Sequence, residues 1–152
     1  MLSNVCYFDC LSSLYYSFFC SGAVLHDIDH VLKPYGHAIT LGIKPDIGIG
    51  GLVLSGGYGF LARNYGLTVD QLIEAEVVLA DGSVVIATDD NEYSDLMWGL
   101  KGGGGNFGIV TKFVFQSFKL PPYCFGGSVS YLAPTMASAR AICHEFDNII
   151  QV

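Results

Sequence analysis

Positive charge is what this chain has least of. Seven lysines and arginines are scattered among fourteen acids in 152 residues, for a net charge of -7. A nucleic-acid surface needs clustered Lys and Arg, so that class of partner is excluded. Long apolar runs are missing too: none reaches the roughly 18 residues of a membrane span. The five cysteines (Cys6, Cys10, Cys20, Cys124 and Cys143) are odd in number and include no C-x-x-C pair, so neither a zinc ribbon nor a redox dithiol is encoded. They read as free thiols in apolar surroundings. No Walker loop occurs. "LSGGYG" comes near a G-x-S-x-G nucleophile elbow without matching it. With four histidines and two arginines, no triad converges.

Glycine and apolar side chains are what the chain has instead. Hydrophobic residues make up 51% and charged residues 14%, which argues for a folded domain and against disorder. The length is that of one domain. The nineteen glycines fall mostly into two clusters. The first is "GIGGLVLSGGYGFLARNYG", residues 48–66, with seven glycines and a single charge at Arg63. A flexible linker would carry Ser, Gln or Glu between its glycines; this stretch carries Ile, Leu, Val, Tyr and Phe.

Around the clusters the chain is regular. Residues 24–32, "VLHDIDHVL", place Val24, Leu25, Ile28, Val31 and Leu32 on one helical face, and Lys33-Pro34-Tyr35-Gly36 stops the helix. Its other face holds His26, Asp27, Asp29 and His30. The spacing is akin to the H-E-x-x-H zinc helix, but no third ligand follows, and a solvated face is the better reading. In "EAEVVLADGSVVIATDD" two β-branched runs flank Asp81-Gly82, a hairpin pattern. Both runs are apolar at nearly every position, so both faces of the hairpin are expected to be covered. "YSDLMWGLK" predicts a short helix starting near Ser94 or Asp95, which "GGGGNFG" breaks, and "IVTKFVFQSF" a strand. "GGSVSYLA" predicts one more strand. "PTMASARAICHEFDNII" predicts a helix with Pro134 in its first turn and Ala137, Ala141, Cys143 and Phe146 on its buried side.

The first 21 residues stand apart. Their apolar character suggests targeting, but there is no basic n-region and Asp9 interrupts the run. Phe18-Phe19-Cys20-Ser21 can be encoded as a pyrimidine tract ending in TG(C/T)AG. Residues 1–21 therefore also read as translated intron, an artefact of the gene model. The compartment stays open between secreted and cytoplasmic.

Gly103, Gly105 and Gly108 satisfy G-x-G-x-x-G. That fingerprint requires a strand before it and a helix after it, so that the helix N-terminus meets a pyrophosphate. Here the order is helix, glycines, strand, and the Rossmann reading is rejected. What remains is backbone chemistry. Glycine lets a ligand approach N–H groups closely and supports anion-binding nests, and the surrounding apolar side chains suit a flat ring system. A dinucleotide such as FAD meets both demands. The competing reading is a glycine-rich packing element with no ligand.

"PDIGIGGLVLSGGYGFLARNYGLTVDQLIEAEVVLADGSVV" followed by "DLMWGLKGGGGNFGIVTKFVF" resembles the second half of the FAD-binding domain in flavin oxidases of the vanillyl-alcohol-oxidase type, and within them the berberine-bridge-enzyme-like oxidoreductases. The resemblance covers about residues 22–121. It implies an α+β fold: the second subdomain of a PCMH-type FAD-binding domain, a mixed or antiparallel sheet with flanking helices. Residues 122–152 would begin the substrate domain. It also implies FAD-binding roles for three stretches. Asp46, Ile47, Gly48, Gly50 and Gly51 match the turn past flavin and pyrophosphate. Gly56, Gly57, Tyr58 and Gly59 match the segment along the cofactor. Asn106, Gly108 and Ile109 match the stretch at the flavin's pyrimidine edge, and Tyr65-Gly66-Leu67 a segment near the ring.

Three departures follow from the same resemblance. Members with two covalent flavin links carry a cysteine where this chain has Lys44. The R-x-G-G-H motif of the histidyl link matches none of His26, His30, His37 or His144. The catalytic tyrosine and C-terminal motif of the family fall beyond residue 152. The implied function is oxidation of an alcohol or amine by flavin, usually with oxygen as final acceptor, and no catalytic or metal-binding residue is assigned to this chain. The implied partners are FAD, a small-molecule substrate and the missing half of the enzyme, with neither nucleic acid nor membrane. Alone, the chain is expected to bind FAD weakly or not at all and to aggregate. The alternative from another class is a non-catalytic interaction module or remnant; one half of a split flavoenzyme is a third reading.

Overall fold

A computed structural model describes residues 7–9, 16–123, 127 and 130–150. The chain divides into two units, Met1–Pro122 and Tyr123–Val152. In the first unit the elements run β1 (Tyr7–Asp9), β2 (Tyr16–Cys20), α1 (Leu25–Leu32), a 3-10 turn, β3 (His37–Ala38), α2 (Ile49–Leu54) and α3 (Ala62–Tyr65). A further 3-10 turn leads to β4 (Leu72–Val78), β5 (Val84–Thr88), α4 (Ser94–Gly103), a 3-10 turn at Gly104–Asn106, β6 (Ile109–Gln116) and β7 (Phe118–Lys119). Five strands form one antiparallel sheet in the order β1-β2-β6-β4-β5, and β3 pairs with β7.

The sheet has one strongly apolar face because its strands alternate. Phe19 lies opposite Phe113, Phe113 opposite Ala75, and Ala75 opposite Ala87, and all four are buried. Ile28 and Leu32 of α1, Ile49 and Val53 of α2, and Met97 and Leu100 of α4 belong to the same core. The helices thus cover one face of the sheet, the usual solution for an amphipathic sheet.

β2 lies inside the first 21 residues set apart by the sequence, yet its five residues pair with Lys112–Gln116 of β6 and bring Phe19 into the core. The hairpin forms where Asp81-Gly82 places it. Leu79 N–H bonds the Ser83 carbonyl at 2.9 Å and Gly82 adopts φ +85°, the left-handed turn position that favours glycine. The Asp81 carboxylate accepts from the Ser83 hydroxyl and N–H at 2.6 and 2.9 Å, and these bonds hold its pKa below the ordinary value. Only one face of β5 is covered: Val85 and Ala87 are buried while Val84 is 60% exposed and Ile86 38%. Of the two faces expected to be covered, the described residues enclose one and leave the second open.

α4 follows the expected order and is broken by glycine, with non-helical geometry at Lys101 and Gly102. In the second unit the helix α5 spans Met136–Ile150. Thr135 caps it, its hydroxyl accepting from Ser138 N–H at 3.2 Å, so Pro134 stands before the cap and not in the first turn. None of its residues is buried. The expected burial of Ala137, Ala141, Cys143 and Phe146 is thereby corrected: the thirty residues from Tyr123 to Val152 are too short a stretch to enclose a helix. Of the strand expected at residues 126–133, residues 127 and 130–133 are not in strand, and the others lie outside the described residues.

Candidate functional site: a glycine-floored groove

The first glycine cluster is held against α1 by backbone bonds. α1 has no side-chain N-cap. Its leading N–H groups are satisfied instead by the cluster: Leu25 N–H bonds the Ile47 carbonyl at 3.0 Å and His26 N–H the Pro45 carbonyl at 2.9 Å. This meets the need of a helix start for outside acceptors. Ile49 N–H returns the contact to Ala23 at 2.9 Å. α2 then starts at Ile49, buries Ile49 and Val53, and lies against α4 and the Gly104–Asn106 turn. The two glycine clusters are therefore neighbours, although some fifty residues separate them in sequence.

The resemblance implies a turn at residues 46–51. The structure shows an extended Gly48 (φ -73°) leading into the helix. Left-handed geometry appears later, at Gly56 (φ +97°) and Gly57 (φ +76°). These two are fixed by Val69 N–H and Thr68 N–H, which bond their carbonyls at 2.9 and 3.0 Å.

An added Cβ separates the glycines into two kinds. At Gly59 it would overlap the Leu41 carbonyl, and at Gly57 the Thr68 hydroxyl. At Gly108 it would come within 2.7 Å of Val77 and 2.8 Å of the Val78 carbonyl. The chain's own packing explains those. At Gly48, Gly51 and Gly105 there is nothing within 4 Å and no left-handed φ. No contact in this chain requires glycine there; the backbone is bare towards open space.

Gly51 lies in a groove of about 520 Å³ lined by Ile47, Gly51, Leu52, Ser55, Gly56, Gly57, Tyr58 and Leu67. That volume is in the range of small-molecule sites, ~300–1,000 Å³. No charged side chain lines it. Tyr58 is 73% exposed between two pinned glycines. Of the other residues named from the sequence, Asp46 is exposed beside Ile47. A Cβ added at Gly50 would come within 3.0 Å of the Ser21 carbonyl, and one at Gly59 would overlap the Leu41 carbonyl. Asn106 donates from Nδ2 to the Gly103 carbonyl at 2.7 Å, closing its own turn. Ile109 is 72% exposed at the start of β6. Ile47, Gly51, Gly56, Gly57 and Tyr58 thus share the groove, while Asn106, Gly108 and Ile109 belong to the adjoining cluster. With no carboxylate, imidazole or amine among its lining residues, and the Ser55 and Tyr58 hydroxyls as its polar side-chain groups, the groove is built to bind and orient a ring.

A polar clasp that sequence reasoning missed braces the groove. Gln71 accepts from Thr40 N–H at 2.7 Å, and its Nε2 donates to the Thr40 hydroxyl at 2.5 Å and the Tyr65 carbonyl at 3.2 Å. Thr40 donates to the Gly66 carbonyl at 2.9 Å, and Thr68 to the Thr40 carbonyl at 2.7 Å. All three side chains are buried, and their bonds stitch residues 65–68 to the stretch after β3. Nothing in their spacing, 40, 68 and 71, marks them as partners. Among the described residues no group of three His, Cys, Asp or Glu is placed to hold a metal.

Known flavoproteins carry segments similar to this one. Residues 19–88 match the family described as an FAD binding domain. An FAD-linked oxidoreductase of Aspergillus terreus is 41% identical over 128 residues, 84% of this chain and 26% of that protein. Glucooligosaccharide oxidase of Sarocladium strictum is 51% identical over 91 residues, 60% of this chain and 18% of that protein. (R)-6-hydroxynicotine oxidase of Paenarthrobacter nicotinovorans is 36% identical over 121 residues, 80% and 26%. Among solved structures, xylooligosaccharide oxidase from Myceliophthora thermophila C1 superposes with TM-score 0.71 at 40% identity, covering 76% of this chain and 24% of its own. A berberine-bridge-like protein of Physcomitrella patens superposes with TM-score 0.69 at 32% identity, covering 74% and 25%.

The chain carries part of an FAD binding domain and is similar over most of its length to FAD-linked oxidases and a berberine-bridge-like flavoprotein. It spans about a quarter of the length of the relatives it matches over most of its own. The residues present fit FAD, the cofactor of this family: bare backbone at Gly48, Gly51 and Gly105, and an uncharged groove of suitable volume, are what a flat ring and a backbone-bound pyrophosphate need.

Proposed function

We propose that this chain is the glycine-rich half of the cofactor site in an oxidase of alcohols or amines. FAD would supply the hydride acceptor, at flavin N5, with oxygen the usual final acceptor. The chain's own part is to bind and orient, as is usual where the cofactor carries the chemistry. Gly51 and Gly48 clear space for close approach, and Ile47, Leu52, Tyr58 and Leu67 exclude water from one side of the ring. The Thr40–Thr68–Gln71 clasp holds the Tyr58 loop in register. The single observation that carries the reading is the bareness of Gly48, Gly51 and Gly105. Because relatives are named as oligosaccharide oxidases and a hydroxynicotine oxidase, carbohydrate hydroxyls are the first and cyclic amines the second substrates to try.

The test uses the protein from its source. Native extract is captured with an antibody to residues 60–100, and the eluate is assayed for flavin and sized on a denaturing gel. A flavin-bearing species several times heavier than 16.4 kDa supports the proposal. A flavin-bearing complex of the short chain with a second polypeptide identifies a split enzyme. A flavin-free species of 16.4 kDa refutes it in favour of a non-catalytic remnant.

A further inference from the structure

We propose that the outer edge of β5 is a pairing surface for a second copy of the same strand, and that the side chain of Asn91 holds it closed. β5 is the terminal strand of the five-stranded sheet. Leu79 N–H bonds the Ser83 carbonyl, and bonded pairs recur at every second residue of an antiparallel ladder. Val77/Val85 and Ala75/Ala87 are therefore the bonded pairs. The N–H and C=O groups of Val84, Ile86 and Thr88 point away from β4.

The strand itself, Val84-Val85-Ile86-Ala87-Thr88, has none of the usual protections of a sheet edge. It contains no charge, no proline and no glycine, and such an edge is a template for another strand. Its outward side chains, Val84 and Ile86, are exposed. Antiparallel pairing of β5 with its own copy, centred on Ile86, sets Ile86 against Ile86 and Val84 against Thr88. The side chains of the paired strands are all uncharged, and like charge enters only at the ends, where Asp89 and Asp90 of one copy approach Asp81 of the other.

Asn91 occupies that edge. Its Nδ2 donates to the Ile86 carbonyl at 2.7 Å and its Oδ1 accepts from Thr88 N–H at 3.3 Å. One carboxamide thus stands in for a neighbouring strand, offering a donor and an acceptor to the two groups that a partner would need. The symmetric pair would make six backbone bonds, two at Ile86/Ile86 and two at each Val84/Thr88. Asn91 in each copy takes the Ile86 acceptor and the Thr88 donor, which removes four of the six. The same Oδ1 accepts from Tyr93 N–H at 2.9 Å, tying the clamp to the start of α4.

The experiment replaces Asn91 by Ser in the 152-residue chain, which keeps a short acceptor for Tyr93 N–H but cannot span to Ile86. Sedimentation velocity over a concentration series is expected to show a dimer Kd at least tenfold lower than that of the natural chain. Adding Ile86→Pro removes the central donor and should return the Kd to the natural value. An unchanged Kd in N91S, or a tighter one that I86P does not reverse, overturns the proposal. A second measurement needs no variant. In the natural chain, hydrogen exchange should protect Thr88 N–H, which Asn91 holds, well beyond Val84 N–H. Equal exchange at the two amides would overturn the clamp.

Discussion

Replacing Gly51 by alanine should make the chain more stable and the flavoprotein worse. Gly51 is the third residue of α2, and a Cβ there meets nothing within 4 Å. The change therefore carries no steric cost in this chain, and alanine in a helix is favoured over glycine by about 0.5–1 kcal/mol. For a chain of this size, 1 kcal/mol moves the Tm by about 2–4 °C, so thermal unfolding should show a rise of about 1–4 °C. In the assembled flavoprotein the same methyl stands in the groove. Overpacking costs about 1–3 kcal/mol, which weakens FAD by about 5- to 150-fold, measured by reconstituting the cofactor-stripped protein with FAD. A lower Tm would show that Gly51 is needed by the chain's own fold. A higher Tm with unchanged FAD affinity would refute the assignment of the open space to the cofactor.

Gly59→Ala makes the opposite control: its methyl would overlap the Leu41 carbonyl, so the Tm should fall whether or not flavin is present. Gln71→Leu leaves Thr40 N–H and the Tyr65 carbonyl without their partner; at about 1–3 kcal/mol for each buried group left unsatisfied, the urea midpoint should drop clearly. A variant as stable as the natural chain would remove the clasp from the account. His37 has a lowered pKa, through burial first and the Lys119 charge second. A histidine depressed in the folded state binds its proton more readily when unfolded, so stability is full above the ordinary value of 6.5 and declines as pH falls below it. Comparing urea midpoints at neutral and mildly acidic pH, His37→Asn should flatten that part of the profile, and an unchanged slope would count against the histidine as its source.

Some elements were legible because one local rule determined them. Apolar spacing and a Pro-Gly stop defined α1, and Asp81-Gly82 defined the hairpin. Helix-glycine-strand order at residues 94–116 disposes of the Rossmann alternative from the sequence alone. The misses share a cause, which is that distant partners decide them. β2 depends on β6, more than ninety residues away, and its strand character was lost in an apolar N-terminus that looked unlike the rest. The helix at Ile49–Leu54 hides because its glycines at 50 and 51 speak against helix locally, and only burial of Ile49 and Val53 stabilises it. The Thr40–Thr68–Gln71 clasp and the Asn91 clamp are built from ordinary polar residues that carry no motif. For the site, the sequence named residues of both glycine clusters but could not tell which glycines serve the chain's own packing and which are left bare.

The strand order has a consequence for birth on the ribosome. β6 is made last of the five strands and inserts between β2 and β4. Until Ile109–Gln116 emerges, β2 has only the short β1 as a neighbour in the sheet. At a synthesis rate of about 5–20 residues per second, the roughly ninety intervening residues leave Phe18 and Phe19 waiting for about 5–20 s. The β4–β5 hairpin, being local, can close far sooner. A chain truncated after Thr88 and released from the ribosome should therefore display a formed hairpin beside an unpaired aromatic strand, which is the kind of segment that chaperones hold. The last strand completes a sheet whose two halves already exist.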